Sequence, residues 1–239
     1  MNEFYKKTLD FQDKLKEYAS NIFKTYGREL VLRLEEYNLL QNPHNCIESS
    51  TAIGFVLEEF LVSKLEMYTH CSKEDYVIDR FVGATASESF DCYSEKDGMK
   101  FMVNVKAEKA GQANNALAAI GQLHRNYCLE EPETEKSFIL LKVKYSIKDA
   151  YEDSVYRRAR PRNIYIEGLE SYCLEEVDLS KGHKQDNRSW SAASDGKNTK
   201  NNGRLQISNA FRRTHKVPIE EISYQNTFEQ LNNLVANNK

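Results

Sequence analysis

The stretch Ser89–Lys109, SFDCYSEKDGMKFMVNVKAEK, contains an Asp97–Gly98 pair between two segments in which apolar and polar residues alternate. Asp-Gly at the two central positions of a tight turn is typical of a β-hairpin. Counting outward from that turn along both strands brings Asp91 opposite Asn104. The stretch therefore predicts an antiparallel hairpin with a defined register, and the rest of the fold is built around it.

The second strand of this hairpin has two chemically different faces. Its polar face carries Asn104, Lys106 and Glu108, and its apolar residues, which are expected to face the core, are Phe101, Val103, Val105 and Ala107. Directly opposed residues share a face, so Asp91 is expected beside Asn104 and Lys106. Carboxylate and amide oxygens are ligands for a divalent cation such as Mg²⁺, and a neighbouring ammonium can hold a water or a phosphate. The plainer interpretation is a solvated strand face.

The spacing of Asp91, Asn104 and Lys106 resembles the active-site motif of the PD-(D/E)XK nuclease superfamily, particularly of type II restriction endonucleases. That motif has an Asp on one strand and an acidic residue two positions before a Lys on the next, and some members carry Asn or Gln in the middle position. The segment Gly54–Glu58, GFVLE, matches a Gly-x-x-x-Glu pattern on the preceding helix. The expected order of helix, hairpin and helix over about residues 49–145 agrees with the superfamily.

The resemblance implies an α/β fold with a restriction-endonuclease-like core, a central mixed β-sheet flanked by helices. It implies Mg²⁺ as cofactor, with Asp91, Asn104 and Glu58 as its ligands. Lys106 is expected to orient or deprotonate the attacking water. The implied reaction is hydrolysis of a phosphodiester bond in double-stranded DNA, which leaves 5′-phosphate and 3′-hydroxyl ends.

Two positions leave alternatives open. Glu58 is preferred to Glu59 because it lies nearer the apolar border of its helix, but both fit ordinary surface glutamates on an amphipathic helix. Asn104 departs from the acidic residue of the usual motif, and the lost charge is expected to weaken metal binding. Glu108, on the same strand face, is a candidate to compensate; an inactive fold is the other interpretation.

Basic residues that could contact DNA are concentrated in two segments. The first is YRRARPRN, residues 156–163, and the second is residues 181–216, which are rich in Ser, Asn and Gly and carry nine Lys and Arg against two Asp. Such side chains bind phosphates, and Arg also reads guanine. A flexible basic surface loop is the alternative for the second segment. The predicted DNA contacts are Arg157, Arg158, Arg160, Arg162, Lys184, Arg188, Arg204, Arg212 and Arg213.

Composition excludes several classes of protein. The net charge of -3 offers no global attraction to nucleic acid, so DNA binding must come from these local segments. The five Cys are odd in number and form no Cys-x-x-Cys pair, which favours reduced thiols in a cytoplasmic protein. There is no apolar run of about 18 residues, so no membrane insertion is expected. Motifs of kinases, dehydrogenases, zinc proteases and serine hydrolases are absent.

The chain is predicted to form one domain over residues 1–239. Residues 1–45 are expected to form two helices that could supply homodimer contacts, residues 49–180 the catalytic core, residues 181–216 the DNA-contacting segment and residues 217–239 a C-terminal helix. A homodimer would match a palindromic DNA site. Further elements are expected as strands at residues 76–82, 137–147, 163–169 and 172–179 and as a helix at residues 111–127. The competing functions are a non-catalytic DNA-binding protein and a repair or recombination nuclease.

Overall fold

The computed structural model describes residues 1–32, 50–81, 88–112, 114–149, 162–184, 203–208 and 216–237. Helix α1 (Glu3–Tyr26) begins after Asn2, whose side chain accepts a hydrogen bond from the backbone N–H of Tyr5 at 2.8 Å. It ends at Gly27, where φ is 87°. Strand β1 (Glu29–Leu32) follows, and the rest of the stretch predicted to form a second helix, residues 33–45, lies outside the described residues.

Helix α2 (Ser50–Ser72) agrees with the helix predicted around the Gly-x-x-x-Glu pattern. Its buried face includes Ile53, Leu57, Leu61 and Leu65, which recur every four residues. Val56 lies outside this face and is 43% exposed. Helices α1 and α2 pack together against one face of the central sheet.

The central sheet has six strands in the order β1-β7-β6-β4-β3-β2. Strands β4 and β6 are parallel and the other neighbours antiparallel, so the predicted mixed sheet in an α/β fold is confirmed. The strands not yet introduced are β2 (Asp79–Arg80), β3 (Cys92–Lys96), β4 (Met99–Lys109), β6 (Glu135–Asp149) and β7 (Arg162–Cys173).

The hairpin of β3 and β4 has the predicted register. Lys96 pairs with Met99 and Cys92 pairs with Val103. Asp97 and Gly98 have φ values of 50° and 74°, the left-handed conformation that a tight hairpin turn of the primed type requires at both central positions.

The strand face opposite the helices is also covered rather than solvated. Met102 joins a second apolar cluster with Leu140, Leu123 and Leu231, and Asn104 is buried on the same face. The cover includes helix α3 (Ile120–His124), a π-helical turn (Arg125–Leu129) and helix α4 (Tyr224–Ala236). Helix α4 lies inside the predicted C-terminal helix.

A second, three-stranded sheet adjoins the first, in the order β5-β9-β8. Its strands are β5 (Ala116–Ala119), β8 (His183–Lys184) and β9 (Arg204–Gln206). The helix predicted over residues 111–127 is therefore wrong in its first half. The apolar run ALAAI fits a buried strand as well as a helix, and pairing with the distant β9 decides between them.

Other elements differ from the prediction mainly in length. The strand predicted over residues 76–82 is reduced to β2, and the one predicted over residues 172–179 is interrupted by a 3₁₀ turn at Leu174–Glu176. Within the described ranges, no helix combines the length and apolar character needed to cross a membrane. The cysteines described, Cys71, Cys92, Cys128 and Cys173, are free thiols.

Candidate active site

A cleft of about 660 Å³ opens between β4, the first turns of α2 and the small sheet. Glu58, Asp91, Asn104 and Lys106 all line it, although they come from α2, the segment before β3, and β4. Arg204 of β9 lines the same cleft. The four residues predicted for catalysis are thus brought together by the fold.

The unequal lengths of β3 and β4 explain how the two carboxylates are held. Strand β3 begins at Cys92, whose partner is Val103, while β4 continues to Lys109. Beyond Val103, β3 no longer pairs with this edge of β4, and side chains bond to the backbone of β4 instead. Asp91 Oδ2 accepts a hydrogen bond from the N–H of Val105 at 2.7 Å. Glu58 Oε1 accepts from the N–H of Ala107 at 3.0 Å. Both carboxylates therefore lie side by side along the same edge of β4.

Asp91 does not form the predicted cross-strand pair with Asn104. Its backbone N–H donates to the carbonyl of Val103 at 2.8 Å, although Val103 is already the partner of Cys92. Asp91 and Cys92 thus both lie opposite Val103. This is the arrangement of a β-bulge, which changes the direction of a side chain. Asp91 lies at the end of the hairpin where the register places it, but the local distortion decides where its carboxylate lies.

Burial and neighbouring charge act in opposite directions on these carboxylates. Burial raises the pKa of Glu58, while the charge of Lys106 and the hydrogen bond from Ala107 lower it and the negative charge of Asp91 raises it. Burial likewise raises the pKa of Asp91, opposed by Lys106 and by the N–H of Val105. The pKa of each carboxyl group is raised overall. The ionised form of each is therefore less stable in the cleft than in water.

Asn104 is 4% exposed and its amide has a fixed orientation. Its Nδ2 donates to the carbonyl oxygens of Ser89 at 2.8 Å and Leu117 at 3.0 Å. Because a carbonyl can only accept, the nitrogen must face these two groups. Its Oδ1 is buried and finds no hydrogen-bond partner in the described part of the chain.

Glu108 does not compensate for the amide at Asn104. It accepts hydrogen bonds from Lys142 Nζ at 2.7 Å and from the N–H of Asn114 at 3.0 Å. Although burial opposes them, these bonds and the charge of Lys142 lower the pKa of Glu108. Lys142 is fully buried next to Lys106 on the neighbouring strand. Sequence reasoning missed Lys142, and a lysine inside the apolar run SFILLKVKYSI was the available signal.

Glu58 and Glu59 have different surroundings. Glu58 lies in the cleft, and Gly54, one turn earlier on the helix, also lines it. Glu59, expected to face solvent, is only 36% exposed and forms an ion pair with Arg80. The helix therefore separates the two adjacent glutamates into one cleft residue and one ion-paired residue.

Of the predicted DNA contacts, the structure brings Arg204 to the cleft. Its charge lowers the pKa of Glu58, and Gln206, two residues along β9, lines the same wall. Sequence reasoning missed Gln206. Arg162 begins β7 and Lys184 lies in β8. The remaining predicted contacts lie outside the described residues: Arg157, Arg158, Arg160, Arg188, Arg212 and Arg213.

Other polar residues near the cleft have structural partners. His124 Nε2 lies 2.8 Å from Asn232 Oδ1 of α4. Asn114 donates through Nδ2 to the carbonyl of Ala107 at 3.2 Å, and with Gln112 and Asn115 it lines the cleft before β5 rather than beginning a helix.

The oxygen atoms of the cleft fit the donor preferences of Mg²⁺. Asp91 Oδ2 and Glu58 Oε1 each accept a hydrogen bond from a backbone N–H. Asn104 adds a buried Oδ1 without a partner among the described residues. Hard cations prefer carboxylate and amide oxygens. In the described part of the chain, three or more His, Cys, Asp or Glu side chains do not come together as a metal-binding group. The donor set therefore consists of two carboxylates and one amide.

No protein-family model matches this chain, and no curated protein matches its sequence. The resemblance to restriction endonucleases therefore depends on the motif residues and on the cleft in which they meet.

Proposed function

We propose that this protein is a Mg²⁺-dependent, sequence-specific endonuclease of double-stranded DNA, of the type II restriction class and on a restriction-endonuclease-like core. The observation that carries the proposal is the convergence of Glu58, Asp91 and Lys106 at the edge of β4 where β3 ends. Two carboxylates with raised pKa next to a lysine, in an open cleft, are typical of a catalytic site.

Each of these residues has a role in phosphodiester hydrolysis. Lys106 is close enough to both carboxylates to lower their pKa, and it would orient the attacking water or take up its proton. Water adds to phosphorus as the bond to the 3′ oxygen breaks, which leaves a 5′-phosphate and a 3′-hydroxyl. Bound by Asp91, Glu58 and the oxygen of Asn104, Mg²⁺ would supply positive charge to the phosphate in the transition state.

The part of the cleft formed by β9 would hold the DNA. Arg204 is exposed at this wall, where its guanidinium could bind a phosphate next to the scissile bond. The basic segments around Arg157 and Arg212 would add phosphate and base contacts. A homodimer would place two such clefts on the two strands of a palindromic site.

The proposal is tested by incubating the protein with plasmid and phage DNA in Mg²⁺. Discrete fragments are expected, and they should disappear in EDTA and with Lys106→Ala. Lys148→Ala is the matched control, because Lys148 belongs to the same sheet but is exposed and does not line the cleft. Intact DNA with all substrates would overturn the proposal, and cleavage only of branched or damaged DNA would favour a repair nuclease.

One observation favours a non-catalytic DNA-binding protein as the second candidate. The amide of Asn104 leaves the site with two carboxylates where the usual motif supplies three with the helix glutamate. If that charge is insufficient for Mg²⁺, the protein should shift DNA on a gel without cutting it. Lys106→Ala should then leave the DNA affinity within a few-fold of wild type.

A further inference from the structure

The segment Glu88–Asp91 is held beside the cleft by the side-chain amides of two buried asparagines. Asn126, in the π-helical turn, accepts from both the backbone N–H and the hydroxyl of Ser89 through Oδ1, each at 2.9 Å. Asn104 Nδ2 donates to the carbonyl of the same Ser89 at 2.8 Å. Both asparagines are at least nine-tenths buried. The backbone of Ser89 is thus fixed at its N–H and at its carbonyl.

Asp91 lies two residues beyond this fixed point. Its own contacts to β4 are the N–H bond to Val103 at 2.8 Å and the bond from Val105 to Oδ2 at 2.7 Å. Since Asp91 is outside the ladder of β3 and β4, the strand pairing does not hold its carboxylate. The contacts made by Ser89 fix the segment that leads into Asp91.

We infer that Asn104 and Asn126 are positioning residues for the carboxylate of Asp91, and that Asn104 must be an amide. This inference deepens the proposed function and rests on it only for its effect on DNA cleavage. Both N–H groups of Asn104 face carbonyl oxygens, Ser89 on one side and Leu117 on the other. A carboxylate in this place would face two acceptors with no hydrogen to donate.

The amide therefore is not a weakened form of the acidic residue that usually occupies this position. It connects the segment before β3 to β5 through β4, and its buried Oδ1 has no hydrogen-bond partner among the described residues. Asn104→Asp, which restores the usual motif and adds a negative charge, should impair the site rather than improve it.

Hydrogen exchange in EDTA tests the inference without DNA or metal. The N–H of Val105 is protected by Asp91, and that of Ala107 by Glu58, so Ala107 serves as an internal reference. In Asn126→Ala and in Asn104→Asp, Val105 should exchange at least about tenfold faster relative to Ala107, since a broken hydrogen bond of about 1.4 kcal/mol changes an opening equilibrium tenfold. Parallel changes at both amides would overturn the inference. Ser89→Ala, which removes only the hydroxyl contact to Asn126, should have a smaller effect.

Asn163→Asp is the matched control. Asn163 is also buried and donates through Nδ2, to Glu29, but it lies in β7 and does not line the cleft. Loss of the hydrogen bond from Asn163 to Glu29 should lower Tm without changing the ratio of the Val105 and Ala107 exchange rates. Asn104→Asp should melt below Asn104→Ala, because alanine only leaves the carbonyls unpaired while a carboxylate is repelled by them. An aspartate variant that is as stable as wild type would contradict the need for an amide.

Cleavage links the inference to the proposed function. If wild-type protein cuts DNA, the half-saturating Mg²⁺ concentration should rise at least about tenfold in Asn126→Ala, although Asn126 does not line the cleft, and should stay at the wild-type value in Asn163→Asp. An unchanged Mg²⁺ requirement in Asn126→Ala would contradict the positioning role. If wild-type protein cuts nothing, the proposed function fails, and the exchange and melting experiments still decide the inference.

Discussion

Two buried carboxylate sites in this protein differ in what surrounds them. Glu175 is fully buried, and neutral groups hold it: the Tyr127 hydroxyl at 2.9 Å, the Phe138 N–H at 2.8 Å and the Ser137 hydroxyl at 3.1 Å. Asp91 and Glu58 are also removed from water, but they line an open cleft beside Lys106.

A raised pKa therefore does not by itself mark a catalytic group. Burial raises the pKa of Glu175 to about 7, against an ordinary value of 4.5, yet both of its oxygens are used inside the core. The cleft carboxylates combine a raised pKa with access to a substrate and with an adjacent cation. A carboxylate that supports the fold and carboxylates that serve chemistry should respond differently to substitution.

The largest expected effect is on cleavage by Asp91→Asn. Loss of the charge that would bind the cation should reduce the rate of DNA cleavage about a thousandfold, or about 4 kcal/mol in activation free energy. Metal-free stability should be unchanged or higher, because the variant no longer buries a charge. Single-turnover cleavage and thermal melting in EDTA measure the two quantities. If the loss of cleavage only parallels a loss of folded protein, the role of Asp91 is to stabilise the fold.

Glu175→Ala should show the opposite pattern. It leaves the donors of Tyr127, Ser137 and Phe138 without their acceptor in the core, which should lower the free energy of unfolding by about 3 kcal/mol. Urea denaturation measures this loss. Below the melting transition, cleavage per folded molecule should remain within about threefold of wild type. A large loss of cleavage in fully folded protein would remove the distinction between the two sites.

Glu175 should also make the free energy of unfolding depend on pH, by about 3 kcal/mol at most. Its carboxyl group ionises near 4.5 in the unfolded chain and near 7 in the folded protein. Between these values the folded state holds the extra proton, so stability falls as pH rises from about 4.5 to 7 and is level above that. Urea denaturation of wild type and Glu175→Gln at several pH values in EDTA isolates this contribution. Parallel curves for the two proteins would contradict it.

The smallest effect is expected from Glu59→Gln. Glu59 is a neighbour of Glu58 but forms an ion pair with Arg80 in which both side chains are about one-third exposed. Such pairs contribute about 1 kcal/mol or less. Tm should fall by a few degrees at most, and cleavage should stay within about fivefold of wild type, whereas Glu58→Gln should reduce it far more. Equal losses of cleavage in the two variants would mean that the helix does not separate these glutamates by function.

Local chemistry in the sequence determined the hairpin and the helix that carry the candidate site. Asp97–Gly98 specifies a tight turn, and the four-residue spacing of Ile53, Leu57 and Leu61 specifies which side of α2 is buried. These features depend on residues near one another in the chain. Glu58 could therefore be chosen over Glu59 before its surroundings were known.

The tertiary structure alone decided how the site is completed. The run ALAAI became a strand because it pairs with β9, almost ninety residues later, and that pairing also brings Arg204 into the cleft. The bulge at Asp91, the pairing of Glu108 with Lys142 and the two carbonyls around Asn104 likewise join distant segments. Alternation along a strand gives the face of a residue, but hydrogen-bond partners from other elements decide which oxygens remain for a ligand.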